Sequence, residues 1–393
     1  MRTTTRERVL SRLIEEIEAA PTPVMLDVAY EVLAEPLGLQ HLWLYIVDYG
    51  DEWLHPVPTA RAPAAPEGAL SVEGTLPGRV YLRREPGEIQ GSEGPTLWFP
   101  VRNRSETVGV LAMGVSGNDE VARELGPAIA HSIAAAILES RRYSDEFQLV
   151  RGGRDLSVAA VLQWELLPLP THQDTNVRVA GRVEPAEDVG GDAFDFAVNQ
   201  RHVELALFDA MGHGIRSTLL TTLTVGSYRQ SRRRRPDVEG IARDLDRAVA
   251  GWPEEAFVTG HVCRLDRLTG RLSWVNAGHP VPLLLRDGRA RPLGEPVPML
   301  PFGLEDEPPE AAEIDLQPGD VLVLYSDGVI EARPRGGPQF GLERLADTAV
   351  RHVETDPLIA VRAILKDVLR HTQRALRDDA TLVLMRWAGP VPD

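Results

Sequence analysis

Four short stretches set aspartate beside glycine or at the lip of an apolar run: Val189-Gly-Gly-Asp192, Phe208-Asp-Ala-Met-Gly-His-Gly214, Tyr325-Ser-Asp-Gly328 and Asp378-Asp-Ala-Thr381. The first three read as ends of buried strands and the fourth as the opening of one. Carboxylates on strand ends, scattered in sequence but able to converge in space, are the donor set that a pair of hard divalent cations needs. The chemistry implied is metal-dependent hydrolysis of phosphate esters. Singly, each stretch has a local explanation: Asp-Gly is a common turn dipeptide, and Gly190-Gly-Asp192 suits a tight bend whose carboxylate caps a backbone amide. Four together, each beside a strand terminus, favour the cation centre.

The elements that must hold these residues fit a chain of 393 residues, long enough for two or three domains. Hydrophobic residues at 43% and charged residues at 25% are ordinary globular values. The net charge of -16 argues against nucleic-acid binding. A single cysteine, Cys263, excludes an intrachain disulfide and a thiolate metal cluster, and its place in an apolar run suits a small core residue. Neither a signal-peptide core nor a run of about 20 apolar residues is evident, so the expectation is a cytoplasmic protein without a membrane span. No Walker-type glycine loop with lysine supports a nucleotide hydrolase.

Three segments are expected in an α+β architecture: residues 1–143, a helical connector over 144–170, and a strand-rich block over 171–393. In the first, helical apolar stripes run from about 8 to 37 through Val9, Leu13, Ile17, Val28 and Leu33. Strands follow at 42–47, 53–57, 70–72, 96–101 and 108–115, the last two joined as a hairpin by the polar turn Arg102-Asn-Arg-Ser-Glu-Thr107, before a closing helix from Glu120 to about Tyr143. This order resembles a GAF domain, a small α/β/α sensor, which implies a possible small-molecule ligand. His41, His55 and His131 lack ligand spacing and read as ordinary residues, Trp43, Trp53 and Trp98 as core, and Ala62 to Gly68 as a surface loop or lid. Helical spacing over 130–142 and 156–167, through Ile133, Ile137, Leu162 and Leu166, stops at Pro168. Such a connector suits either a transmission element and homodimer seam or a linker packed on its own domain. In the last block, strands are expected at 177–183, 203–209, 258–264, 271–275, 281–286, 321–325 and 381–386, with helices at 215–234, from 342, and at 356–374.

Val189-Gly-Gly-Asp-Ala-Phe-Asp195, Asp209-Ala-Met-Gly-His-Gly214, Asn276-Ala-Gly-His-Pro280, Tyr325-Ser-Asp-Gly-Val-Ile-Glu-Ala-Arg333 and Asp378-Asp-Ala-Thr381 resemble, in order, the motifs of SpoIIE/RsbU-type bacterial serine/threonine phosphatases of the PPM class. The connector sequence Val161-Leu-Gln-Trp-Glu-Leu-Leu-Pro168 also resembles the helix that precedes the phosphatase domain in that family. The resemblance implies a β-sandwich flanked by helices and two cations, Mn²⁺ or Mg²⁺. It implies that Asp192 contributes to both metals, that Asp209 bridges them, that the Ala210 carbonyl holds the second, and that Asp327 and Asp378 complete the first. Many relatives carry glycine at position 210, and the methyl of Ala210 is tolerable unless the backbone there needs φ > 0. Gly191, His213, Asn276, His279 and Asp379 are candidates for supporting or phosphate-side roles. Met211 stands where eukaryotic relatives have a histidine, so the general acid is open between His213, which otherwise fixes its loop, and His279, which otherwise holds strand ends with Asn276. Arg182 is either a phosphate contact or a solvated side chain, and Arg232-Arg-Arg-Arg235 either a solvated helix end or a dock for an acidic partner. The implied substrate is a phosphorylated STAS-type anti-anti-sigma factor in a partner-switching pathway; the alternative is a non-catalytic scaffold of the same fold.

Overall fold

The computed structural model describes residues 2–92, 94–116, 120–151, 157–186, 190–234, 237–294, 299–304 and 309–390. Val189 of the first aspartate motif and Arg235 of the arginine run lie outside them. The chain forms two compact units, residues 1–155 and 156–393.

In the first unit, α1 (Arg2–Ala19) and α2 (Met25–Leu37) precede β1 (Leu39–Val47), β2 (Trp53–Pro56), β3 (Leu70–Ser71), α3 (Leu76–Arg83), β4 (Gly87–Gly91), β5 (Gly94–Asn103) and β6 (Glu106–Val115). Two helices, α4 (Glu120–Ser140) and α5 (Glu146–Arg151), close it. The antiparallel sheet runs β3-β2-β1-β6-β5-β4, and β5 and β6 form the expected hairpin. Alternation along β1 sends Leu42, Leu44 and Ile46 to the face covered by α1, α2 and α4, and Tyr45 and Val47 to the face under α3. The layers are therefore helix, sheet, helix.

The composition of α4 qualifies it for a membrane span, with mean hydropathy 1.2 over an 18-residue window. That apolarity has a local use, since Leu125, Ile129, Ile133 and Ile137 pack into the sheet core. The histidines and tryptophans hold structural positions: His41 stacks on Trp43 at 3.5 Å, His131 Nδ1 lies 3.1 Å from the Arg102 carbonyl, and Trp98 is buried, whereas Trp53 is exposed.

The start of the segment read as a surface loop or lid is pinned by a residue that no motif marks. Asp27, fully buried in the first turn of α2, accepts backbone N–H bonds from Ala60 at 3.1 Å, Arg61 at 2.7 Å and Ala62 at 2.7 Å. Burial works against its charge, but the Ala62, Arg61 and Ala60 amides and the Arg61 guanidinium outweigh that and hold its carboxyl below the usual range. Asp27→Ala leaves these amides without an acceptor and is expected to cost the first unit about 3 kcal/mol in urea unfolding. Because the native pKa is depressed, this contribution is present above the unfolded value of about 4 and fades as pH falls through the native one.

The second unit opens with α6 (Val158–Leu166), then β7 (Thr171–Gln173), β8 (Val177–Glu184), β9 (Asp192–Val198), β10 (His202–Ala210), α7 (Ile215–Arg233) and α8 (Val238–Ala250). It continues through β11 (Val258–Asp266), β12 (Arg271–Ala277), β13 (Leu283–Arg286), β14 (Arg289–Pro292), β15 (Ala312–Asp315), β16 (Val321–Tyr325), α9 (Asp327–Ile330), α10 (Leu342–Arg351), α11 (Pro357–His371) and β17 (Ala380–Trp387). Two antiparallel sheets, β15-β12-β11-β10-β9 and β14-β13-β16-β17-β8-β7, pack face to face. Leu205, Cys263 and Trp274 point between the sheets, while their neighbours Ala206, Val262 and Val275 point to α7 and α8. On the far side, α10 and α11 cover β16 and β17 through Leu345, Val361, Ile364 and Leu382. The result is a four-layer αββα sandwich.

Several local expectations change. Asp192 opens β9 and does not close a strand: Asp192-Ala-Phe-Asp-Phe-Ala-Val198 pairs with β10 from Asp209 back to Val203. With charges only at Asp192 and Asp195, the segment has no two-residue alternation to mark it as a strand. Helix α8 is also unanticipated, although Asp237 caps it by accepting from the Gly240 amide at 2.8 Å and Val238, Ile241, Leu245 and Val249 bury one face. The connector segment does not form one described helix: α5 falls in the first unit and α6 in the second.

Candidate metal centre

The acidic residues gather at the end of the sandwich where β10 finishes and β9 begins. Asp209 and Asp192 are direct cross-strand partners, so both project to the inter-sheet side that Leu207 and Phe194 fill one step further in. From the other sheet, Thr381 at the start of β17 donates its hydroxyl to Asp192 Oδ2 at 2.5 Å. Ser326, between β16 and Asp327, receives the Thr381 amide on its Oγ at 2.9 Å and donates to the Asp379 carbonyl at 3.2 Å. These bonds bring Asp327, the first residue of α9, and Asp378 and Asp379, just before β17, to the same end.

Close backbone approach is built in through glycine. A Cβ on Gly191 would stand 2.2 Å from the Ala210 carbonyl oxygen and 2.7 Å from Ser217 Oγ. A Cβ on Gly328 would meet the Asp379 carbonyl at 2.0 Å. The Gly191 carbonyl in turn accepts from Thr221 Oγ1 at 2.6 Å and from the Ala210 amide at 3.2 Å, so α7 and β10 clamp the Gly191 peptide against Ala210. Ala210 lies in β10 and is not among the residues of positive φ, so its methyl group is accommodated. The left-handed turn comes later, at Gly212 (φ 86°) and Gly214 (φ 77°), which reverse the chain into α7.

Electrostatics mark the cluster as one site. Burial, then the charges of Asp209 and Asp379, push the Asp192 carboxyl well above its ordinary value, against the hydroxyls of Thr381 and Ser326. Burial followed by Asp327, Asp378 and Asp379 raises Asp209 to about 7. Burial also raises Asp378 and Asp379. Like charges directly opposite on adjacent strands oppose folding unless a cation lies between them. The donors are all oxygen, the set that suits Mg²⁺ or Mn²⁺. Among the described residues no three of these side chains stand close enough together to enclose a metal ion.

The two neighbours at 378 and 379 differ in occupation. Asp379 accepts from the Ala186 amide at 2.9 Å, the Gly190 amide at 3.1 Å and Gln163 Nε2 at 2.7 Å. Asp378 takes only the amide of Asp379 among these bonds, at 2.9 Å. Asp379 is thus tied to the protein, and Asp378 keeps oxygen capacity for a ligand.

The remaining candidates fall in two places. Asn276 donates to the His279 carbonyl and accepts the His279 amide, both at 2.8 Å, closing the turn after β12. His279 is buried beside His261, with Nδ1 2.7 Å from Thr259 Oγ1, and Thr259 is the cross-strand partner of Asp209. Burial, then His261, holds His279 well below its ordinary value, so it is neutral at neutral pH. His213 is exposed in the loop before α7. Arg182 pairs with Glu184 at 3.2 Å and is largely covered. Arg232 turns inward to Asp195 at 2.8 Å, beside Arg229 at 2.9 Å, while Arg234 pairs with Asp244. The arginine run is therefore only partly a solvated helix end.

The sequence pattern described as "Stage II sporulation protein E (SpoIIE)" matches residues 199–388, spanning β10 to β17 and so including Asp209, Asp327 and Asp378. The C-terminal unit carries a SpoIIE-family domain. Over 288 residues the chain is 23% identical to phosphoserine phosphatase RsbU of Bacillus subtilis, covering 69% of this chain and 85% of that protein. Phosphoserine phosphatase RsbP of the same organism is 26% identical over 187 residues, 45% of each chain. The crystal structure of the RsbU and RsbW domains of Rv1364c from Mycobacterium tuberculosis superposes with TM-score 0.50 at 29% identity, covering 55% of this chain and 61% of that one. The SpoIIE-type domain thus has the PPM sandwich expected from its motifs.

Cations would compete with protons for the raised carboxylates of the SpoIIE-type domain. The concentration of Mn²⁺ needed to stabilise the protein in thermal melts is expected to fall as pH rises towards about 7 and to level off above it. A midpoint independent of pH between about 5.5 and 7.5 would contradict this.

Proposed function

We propose that this chain is a metal-dependent protein serine/threonine phosphatase of the PPM class, acting on a phosphorylated STAS-type anti-anti-sigma protein under control of its first unit. The observation that carries the proposal is the opposed pair of buried Asp192 and half-buried Asp209 at the mouth of the sandwich, with Asp327 and Asp378 beside it. Support comes from relatives named as phosphoserine phosphatases.

In this proposal Asp192, Asp209, Asp327, Asp378 and the Ala210 carbonyl hold two divalent cations, Mn²⁺ or Mg²⁺. When bound, such a pair neutralises phosphoryl charge and acidifies a water for in-line attack. The chain's own contribution is placement. Thr381 orients Asp192, the glycines at 191 and 328 let backbone carbonyls approach, and Asp379 anchors the segment that carries Asp378. His279, neutral and bonded to Thr259, positions the strand beside Asp209 and is not the cationic imidazolium acid at neutral pH. His213, exposed in the loop, remains the candidate acid for the leaving serine oxygen. The first unit, a helix-sheet-helix domain, is proposed as a GAF-like sensor with a small-molecule ligand, and the protein as a cytoplasmic homodimer.

The test is release of phosphate from a purified phosphoserine STAS protein, from a small aryl phosphate and from ATP, with Mn²⁺, Mg²⁺ or chelator. Cation-dependent release from the phosphoprotein, with ATP untouched, is expected. Equal slow release by the wild type and by Asp327→Asn would replace the enzyme with a scaffold.

A further inference from the structure

Helix α6 is short, and nine residues are too few to hold a helix without tertiary support. The face it buries is poor in apolar atoms: Ala159, Ala160 and Gln163 are its buried residues, while Val158 and Val161 point to solvent. Gln163 is only 3% exposed, and burying an amide costs free energy unless its donors are used. Here Nε2 donates to the Asp192 carbonyl at 2.9 Å and to Asp379 Oδ2 at 2.7 Å. One amide nitrogen therefore joins the segment that starts β9 to the segment that starts β17, and those segments carry Asp192 and Asp378. At the last residue of the helix, Arg229 Nη2 donates to the Leu166 carbonyl at 2.6 Å while its Nε grips Asp195 at 2.9 Å. Polar bonds dock the C-terminal half of α6.

We propose that Gln163 is a positioning residue for the metal centre: by holding the Asp192 main chain and the Asp379 carboxylate at once, its amide fixes the separation of Asp192 and Asp378. It touches neither cation nor substrate in this account. The proposal rests on the reading of the acidic cluster as a cation site. Removing the amide lets the β9 and β17 segments drift while Asp379, still held by Ala186 and Gly190, keeps most of its bonds. Partners that orient ligands typically alter metal affinity by about 10- to 100-fold.

The full-length chain carries the experiment, with Gln163→Met, which keeps length and packing but removes the donor, and Val161→Met on the exposed side of the same helix. Thermal melts over a Mn²⁺ series read metal recruitment without relying on turnover. The expected result is a midpoint for Mn²⁺ stabilisation raised about 10- to 100-fold in Gln163→Met and unmoved in Val161→Met, with the aryl-phosphate rate at saturating Mn²⁺ within about threefold of wild type. Should Gln163→Met fail to fold, Gln163→Asn, whose amide falls one carbon short, takes its place with the same expectation. A midpoint equal to wild type overturns the proposal and leaves the metal centre standing. Absence of any Mn²⁺ response in the wild type overturns both.

Discussion

Asp209→Asn is expected to reduce phosphate release by about 10³-fold and yet to melt at a higher temperature than the wild type when cations are chelated. Both effects have one source. Asp209 sits opposite Asp192 on the neighbouring strand, and burial with three further carboxylates lifts its pKa to about 7. The native state therefore retains protons that the unfolded chain releases above about pH 4, so ionised Asp209 subtracts stability progressively as pH rises from about 4 to about 7. Asparagine is close in shape and carries no charge. His261, held down to about 4 by burial, works in the opposite sense, since it must stay neutral where the unfolded chain gains a proton. The difference between variant and wild type removes that contribution. The excess stability of Asp209→Asn should be largest near pH 8 and vanish towards pH 4, and adding Mn²⁺ should reverse the order in favour of the wild type. A variant that melts at or below the wild type in chelator at about pH 8 would show that the cluster stores no such repulsion.

Gly191→Ala is the second large effect. The added methyl would fall 2.2 Å from the Ala210 carbonyl oxygen, and the Gly191 carbonyl is itself held by β10 on one side and by α7 on the other. Neither the strand nor the helix can yield without breaking the Gly191 bonds to Thr221 and Ala210. The expected cost is about 3 kcal/mol in urea unfolding together with about 100-fold weaker response to Mn²⁺. The contrast is Gly226 in the middle of α7, where a Cβ meets nothing within 4 Å, so Gly226→Ala should stabilise the helix by about 1 kcal/mol. If Gly191→Ala instead behaved like Gly226→Ala, the Gly191 peptide would not be the rigid element inferred from these contacts.

What was legible in the sequence followed from repetition of a pattern. Runs of β-rich composition at 203–209 and 258–264 gave their strands, and the ordered aspartate motifs pointed to the sandwich and its acidic end. Short or interrupted patterns stayed hidden. Strand β9 begins on the aspartate that had suggested a strand end, because a glycine pair can precede a strand as easily as follow one. Helix α8 carried an Asp237 cap and a 3.6-residue apolar period that were available to be read. Gln163 and Asp27 lay beyond such reading, since their partners are main-chain groups and carboxylates that only the folded chain brings near. Asp379 is a supporting candidate through the resemblance, but its partners were not legible. Adjacent aspartates at 378 and 379 look alike in one dimension, and it is the amides of Ala186 and Gly190 that distinguish them.

Cys263, sealed in β11 with its thiol pushed far up by burial, has a practical consequence. Maleimide and spin-label reagents attack thiolates they can reach, and this side chain offers neither exposure nor charge. A cysteine engineered at Val161 on the outer side of α6 would then be the one reactive sulfur in the native protein. The natural sequence can serve as its own silent background for fluorescence or electron-resonance ruler experiments on that helix.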